Sequence, residues 1–116
     1  MLILICGHSR AGKTTFSQRF RDVIHLDTSH STARVIQKMG TAEDVVIEGV
    51  YYSPRERMEL LSHYKGKHAR VICIETPKEV REARMKHRIR HDYPFLVPTY
   101  SEGWDEIVII RSDSYA

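Results

Sequence analysis

The sequence predicts an α/β domain in three layers: a parallel sheet covered by helices on both faces. Three observations predict it. Short apolar runs alternate with amphipathic stretches along the 116 residues. The runs are continuous and rich in β-branched residues, without the in–out alternation of a half-exposed sheet. A glycine-rich segment joins the first run to the first helical stretch. Strands alternating with helices make right-handed crossover units, whose strands lie parallel. The length suits one domain with one real core, residues 1–116.

The strands are expected at Met1-Leu2-Ile3-Leu4-Ile5-Cys6, Val23-Ile24-His25-Leu26, Val45-Val46-Ile47, Arg70-Val71-Ile72-Cys73-Ile74 and Ile107-Val108-Ile109-Ile110. Helices are expected near 13–21, 29–39, 54–65 and 77–91. In such a sheet, ligands bind at the carboxyl ends of the strands. Gly7, Asp27, Glu48 and Glu75 follow successive strands and should converge on that edge, with Glu75 the least involved.

The bulk numbers exclude more than they assign. Lys and Arg total 18 against 15 Asp and Glu, a net charge of +3, too mild to establish a nucleic-acid partner. The apolar runs are far shorter than the ~18 residues of a membrane span. The first strand begins at Met1, which leaves no room for a signal peptide. Cys6 and Cys73 fall inside strands and read as buried free thiols of a reducing, cytoplasmic setting.

Gly7-His8-Ser9-Arg10-Ala11-Gly12-Lys13-Thr14 is a complete G-x-x-x-x-G-K-[ST] phosphate-binding loop. Its strand lies before it and its helix, opening at Thr15, after it. Backbone N–H groups of such a loop wrap phosphate oxygens at a helix N-terminus. Lys13 supplies a point charge to the β/γ-phosphates and Thr14 a hydroxyl to Mg²⁺. With Gly at about 7% of residues, chance produces this pattern in well under ~1% of chains this short. A plain glycine-rich turn is the alternative.

Around the loop, Asp27 is placed to orient an attacking hydroxyl and take its proton, or else caps the following helix. With a helix beginning near Thr28, His30 and Arg34 share its face and either hold an acceptor phosphate or form a solvated edge. Glu48 ends a hydrophobic strand in the manner of a Walker B acid, which holds Mg²⁺ directly or through water, or positions an acceptor. Gly49 would let backbone approach a ligand. Tyr51 and Tyr52 stack on a base or simply pack. In the last charged stretch, Arg84 and Arg88 are i,i+4 neighbours that either clamp a phosphoryl group as a lid or belong to a solvated basic helix. Arg81, Lys86 and Arg90 point elsewhere, either solvated or tracking a polyanion.

These residues resemble a polynucleotide 5′-hydroxyl kinase domain of the bacteriophage type, among the small P-loop kinases. The resemblance rests on GHSRAGKT after the first strand, Asp27 ending the second, Pro77-x6-Arg84-x3-Arg88, and Pro98-Thr99-Tyr100-Ser101-Glu102-Gly103-Trp104-Asp105-Glu106-Ile107. Glu48-Gly49-Val50-Tyr51-Tyr52-Ser53-Pro54 also sits where the family has a loop before a Pro-initiated helix.

The resemblance implies a P-loop kinase-like fold with a five-stranded sheet in the order 2-3-1-4-5. It implies ATP or another NTP as donor, with Mg²⁺, and Lys13, Asp27, Arg84 and Arg88 as catalytic residues. The donor contacts would come from Gly7, His8, Ser9, Arg10, Ala11, Gly12, Lys13, Thr14, Thr15 and Arg84. Thr14 and Glu48 would serve the metal, and His30, Arg34 and Glu48 the acceptor, a nucleic-acid 5′ end. Two departures stand out. His30 occupies the place of the family's acceptor-gripping Arg. Only the 17 residues 28–44 separate Asp27 from Val45, where relatives carry a longer insert. An open acceptor site follows, which suits a polymer end better than a metabolite. The rival readings are a small-molecule P-loop kinase and a nucleotide-binding module without catalysis.

Overall fold

The central apolar runs become strands because their side chains are covered on both sides, whereas Val108 and Ile109 of the last run are exposed. Alternate residues of β1 (Leu2–Cys6) enter two separate clusters: Leu2, Leu4 and Cys6 one, Ile3 and Ile5 the other. The structure, a computed structural model, describes residues 1–8, 13, 16, 18–20, 24–26, 31–41, 44–85 and 94–111.

The remaining elements are β2 (Ile24–Leu26), α1 (Thr32–Met39), β3 (Val45–Gly49), α2 (Pro54–Ser62), β4 (Ala69–Glu75), α3 (Lys78–Met85), a 3₁₀ turn (Tyr100–Glu102) and β5 (Glu106–Arg111). The strands form one sheet in the order β2-β3-β1-β4-β5, every pairing parallel. One face packs beneath α1 and α2, through Val35, Met39, Leu60 and Leu61, together with Trp104. The other packs against Phe16, which is helical, and Phe20. Cys6 and Cys73 are buried free thiols paired in register across β1 and β4. The hydrogen bond they share, and then burial, push the Cys6 thiol up. No helix among the described residues is long and apolar enough to cross a membrane.

Expectations on element boundaries are corrected at several places. Glu48 does not follow β3 but lies within it, opposite Ile5 in the ladder, with Gly49 opposite Cys6. β1 extends that far, so its pairing with β3 continues past the apolar run, whereas β2 ends at Leu26 opposite Ile47. Of the helix expected over 29–39, the described part is α1, which begins at Thr32. Ser31 is extended (φ −67°, ψ 151°) and caps α1, its Oγ accepting from Arg34 N at 3.2 Å. Asp27, Thr28, Ser29 and His30 lie outside the described residues. The helix expected over 13–21 stops short, with Gln18 and Arg19 in a turn closed by Arg19 N donating to Phe16 O at 3.1 Å. That turn lets Phe16 and Phe20 meet, 6.1 Å between ring centroids, against the same face.

α2 ends at Ser62 rather than residue 65, and starts as its sequence allows. Pro54 takes the first turn, where its missing N–H costs nothing, and Ser53 Oγ caps Glu56 N. α3 is described to Met85.

Candidate functional site

The site begins where β1 runs out. Gly7 turns the chain with φ 151°, a value L side chains rarely adopt, and its N–H donates to Val50 O at 3.2 Å. The loop's first residue is thereby tied to the segment leaving β3. Lys13 reaches back across the loop. Its Nζ donates to Gly7 O at 2.8 Å and His8 O at 2.7 Å. Burial pulls its ammonium down to about 8 from the ordinary 10.5; Glu48 pushes it up, and the positive charge of Arg81 pulls it down further.

Glu48 is half-buried on β3. Its strand neighbours Val46 and, across the ladder, Ile5 belong to the cluster that Phe16 covers. Alternation along the strand thus aims the carboxylate at the side from which Lys13 and Phe16 descend. Arg81 arrives from the other direction. Its Nε donates to Thr76 O at 3.0 Å, just past the end of β4, and the residue is 5% exposed. Lys13, Glu48 and Arg81 are therefore electrostatic neighbours at the carboxyl edge of the sheet. A buried cation pair with one carboxylate suits an anion of high charge, because each guanidinium or ammonium is worth more where water is scarce.

The expectation that Arg81 points away, solvated, is corrected. Spacing could have found it: Arg81 precedes Arg84 by three and Arg88 by seven, one stripe of a helix. The half-buried Arg84 lies in the last turn of α3. Arg34 is exposed on α1. Glu75 is exposed at the end of β4. Ser9, Arg10, Ala11, Gly12, Thr14, Thr15, Asp27, His30, Lys86, Arg88 and Arg90 lie outside the described residues.

The Tyr51 side chain packs on the core. A Cβ on Gly49 would stand 2.6 Å from Tyr51 Cε2, so this glycine makes room for the tyrosine ring rather than for a ligand. Tyr51 itself has φ 43°, the single left-handed non-glycine residue among those described.

Sequence reasoning missed Arg57. It is fully buried on α2, with Nε and Nη2 forked onto Glu102 Oε1 and Oε2 at 2.8 and 3.1 Å and Nη1 donating to Tyr51 O at 2.6 Å. Glu102 also accepts from Trp104 Nε1 at 3.1 Å and Thr99 N at 3.0 Å. The Glu-Gly-Trp segment is thus a buried polar network, with Gly103 (φ 111°) closing the 3₁₀ turn beside it.

No protein-family model matches the chain, and neither does any curated protein. Solved structures do. An unliganded sugar kinase from Janibacter sp. HTCC2649 superposes with a TM-score of 0.65 at 13% identity, over 95% of this chain and 84% of that one. A protein provisionally described as a kinase from Chloroflexus aurantiacus J-10-fl superposes with a TM-score of 0.64 at 14% identity, again over 95% and 84%. At such identities the likeness is one of fold, and the chain shares the α/β fold of these two proteins.

Proposed function

We propose that this protein is an ATP-dependent kinase that transfers the γ-phosphoryl group to a hydroxyl, with the 5′-OH end of a nucleic acid as acceptor. The observation that carries the transferase reading is Lys13. It is a half-buried ammonium held on Gly7 and His8 carbonyls, beside Glu48 and Arg81, at the strand edge where this fold binds ligands.

In this reading the segment Gly7 to Thr15 cradles the donor phosphates with Lys13 as its point charge. Thr14 and Glu48 would hold Mg²⁺, which when bound neutralises charge on the phosphates. Among the described residues no three His, Cys, Asp or Glu side chains gather as a metal cage. Asp27 orients the acceptor hydroxyl and takes its proton. The acceptor oxygen bonds to the γ-phosphorus as the bond to the departing nucleoside diphosphate breaks. Arg84 and Arg88 form a lid on the helix near 77–91 that clamps the moving charge, and His30, Arg34 and Glu48 face the acceptor.

The nucleic-acid acceptor rests on the sequence resemblance and on the short 28–44 span. A small-molecule acceptor is the second reading, favoured because a sugar kinase shares the fold over 84% of its chain. Incubation with γ-labelled ATP, a 5′-OH oligonucleotide and a panel of sugars and nucleosides separates the two. Label on the oligonucleotide is the expected result, and label on a sugar or nucleoside alone overturns the nucleic-acid acceptor. Nucleotide binding with no transfer to any acceptor would make the protein a binding module.

A further inference from the structure

Arg57 lies on the far side of the Tyr51–Tyr52 loop from the phosphate segment, yet it touches both supports of that segment. The first support is backbone. Gly7 N donates to Val50 O at 3.2 Å, and the next residue, Tyr51, gives its carbonyl to Arg57 Nη1 at 2.6 Å. Tyr51 sits at φ 43°, which a side-chain-bearing residue keeps only when its surroundings hold it there. The Arg57 guanidinium is the donor on its carbonyl, and the core packs its ring. The second support is aromatic. The His8 ring meets Phe95 at 5.6 Å between centroids, and the Arg57 guanidinium carbon stands 5.8 Å from the same Phe95 ring. The segment carrying Phe95 is itself stitched to the loop, Leu96 N donating to Tyr52 O at 2.9 Å.

What orients Arg57 is Glu102. The fork of two hydrogen bonds fixes the guanidinium plane, and Thr99 N and Trp104 Nε1 fix the carboxylate in turn. Both side chains are almost wholly buried. A buried ion pair is a weak source of stability by itself, since desolvating the two charges offsets most of their attraction. A planar fork does fix geometry, and Lys cannot reproduce it.

We propose that Arg57 and Glu102 are positioning residues for nucleotide binding: the pair sets the Val50–Tyr51 turn and the Phe95 ring, and through them the placement of Gly7 and His8. The inference rests on the reading of residues 7–14 as a donor-phosphate loop. It gives the Glu-Gly-Trp segment, distant in sequence from that loop, a physical connection to it.

The test is the double variant Arg57→Met/Glu102→Gln. It leaves no lone buried charge, and the glutamine oxygen still accepts from one of Thr99 N and Trp104 Nε1, which donate to different oxygens of the carboxylate. Two quantities are read: hydrogen exchange of the Gly7 amide by NMR in the nucleotide-free protein, and ADP affinity by calorimetry. The expected result is a folded protein whose β1 and β4 amides exchange as in the wild type. Its Gly7 amide exchanges about tenfold faster and its ADP Kd rises about tenfold. Arg57→Lys, which keeps charge but loses the fork, should fall between the two, and decides the question should the double variant not fold. Unchanged Gly7 exchange in a folded variant overturns the proposal whatever happens to affinity. If the wild-type protein binds no ADP, the kinase reading fails, and the Gly7 amide still decides whether the pair acts as a buttress.

Discussion

The ammonium of Lys13 donates to the carbonyl oxygen of Gly7, 2.8 Å away, so the two ends of the phosphate segment are joined before any nucleotide arrives. Burial and Arg81 bring that ammonium down to about 8. Nucleotide phosphates favour its charged form. ADP affinity is therefore expected to be flat below pH 8 and to fall above it, approaching about tenfold per pH unit as binding takes up a proton. The folding contribution runs the other way. The unfolded chain holds this proton up to 10.5, so between 8 and 10.5 stability from Lys13 rises with pH. Calorimetric titration with ADP from pH 7 to above pH 9 checks the first trend. An affinity without a break in this range would place Lys13 away from the phosphates.

Arg81 should move that break. It is 5% exposed and depresses Lys13 through like charge. Arg81→Met preserves much of the apolar stem and removes the charge. The same titration is expected to show the break shifted to higher pH. A break left at about 8 would mean that Arg81 does not depress Lys13.

Asp27 and Lys13 should separate chemistry from binding. Asp27→Asn removes the proposed base while keeping size and polarity, so transfer from labelled ATP is expected to drop by about 10²–10⁴. ADP affinity should stay within about twofold of the wild type. A parallel loss of affinity would place Asp27 on the donor side.

The strands were legible because burial on both faces leaves continuous apolar runs, as in Leu2–Cys6 and Val71–Ile74, both buried throughout. Where the apolar run stopped before the pairing did, sequence reasoning stopped too early. Glu48 belongs to β3 because Ile5 is there to pair with it, a fact of the neighbouring strand. The start of α1 was illegible for a different reason. Asp27, Thr28, Ser29 and Ser31 are all good caps, and local preference does not choose among them. Arg57 was hidden most completely. It stands in Pro54-Arg55-Glu56-Arg57-Met58-Glu59, which reads as a solvated helix, and its partner Glu102 is 45 positions away. Arg81 was within reach, since helical spacing already grouped it with Arg84.

Gly49 shows how tightly the segment after β3 is packed. Its Cβ position is 2.6 Å from Tyr51 Cε2 and 3.0 Å from Cδ2, and the ring is held by the core on its other side. Gly49→Ala must displace that ring or the strand. A loss of about 1–3 kcal/mol in urea unfolding is expected, the usual range for overpacking. Since Gly49 is the ladder partner of Cys6, directly before the phosphate segment, ADP affinity should weaken with it. Unchanged stability would show that Tyr51 swings aside at little cost.

Glu102 gives the fold a specific acid sensitivity. Burial pushes its carboxyl up, but hydrogen bonds from Arg57, Trp104 and Thr99, with the charge of Arg57, outweigh this and hold it below the ordinary 4.5. A depressed carboxyl stabilises the fold fully above the unfolded value and loses that contribution as pH falls through the folded one. The unfolded chain takes up the proton first, so the loss begins near 4.5 and deepens below it. Glu102→Gln keeps an oxygen for one of Trp104 Nε1 and Thr99 N and removes the charge facing Arg57. At pH 7 it is expected to cost about 2 kcal/mol, the scale of hydrogen bonds to charged groups. The decisive feature is the difference between wild type and variant, measured by urea unfolding from pH 7 down to pH 3. It should hold constant to about pH 5 and then shrink, because a protonated Glu102 faces Arg57 much as glutamine does. A difference that persists undiminished into acid would mean that shape, and not the carboxylate charge, is what Arg57 requires.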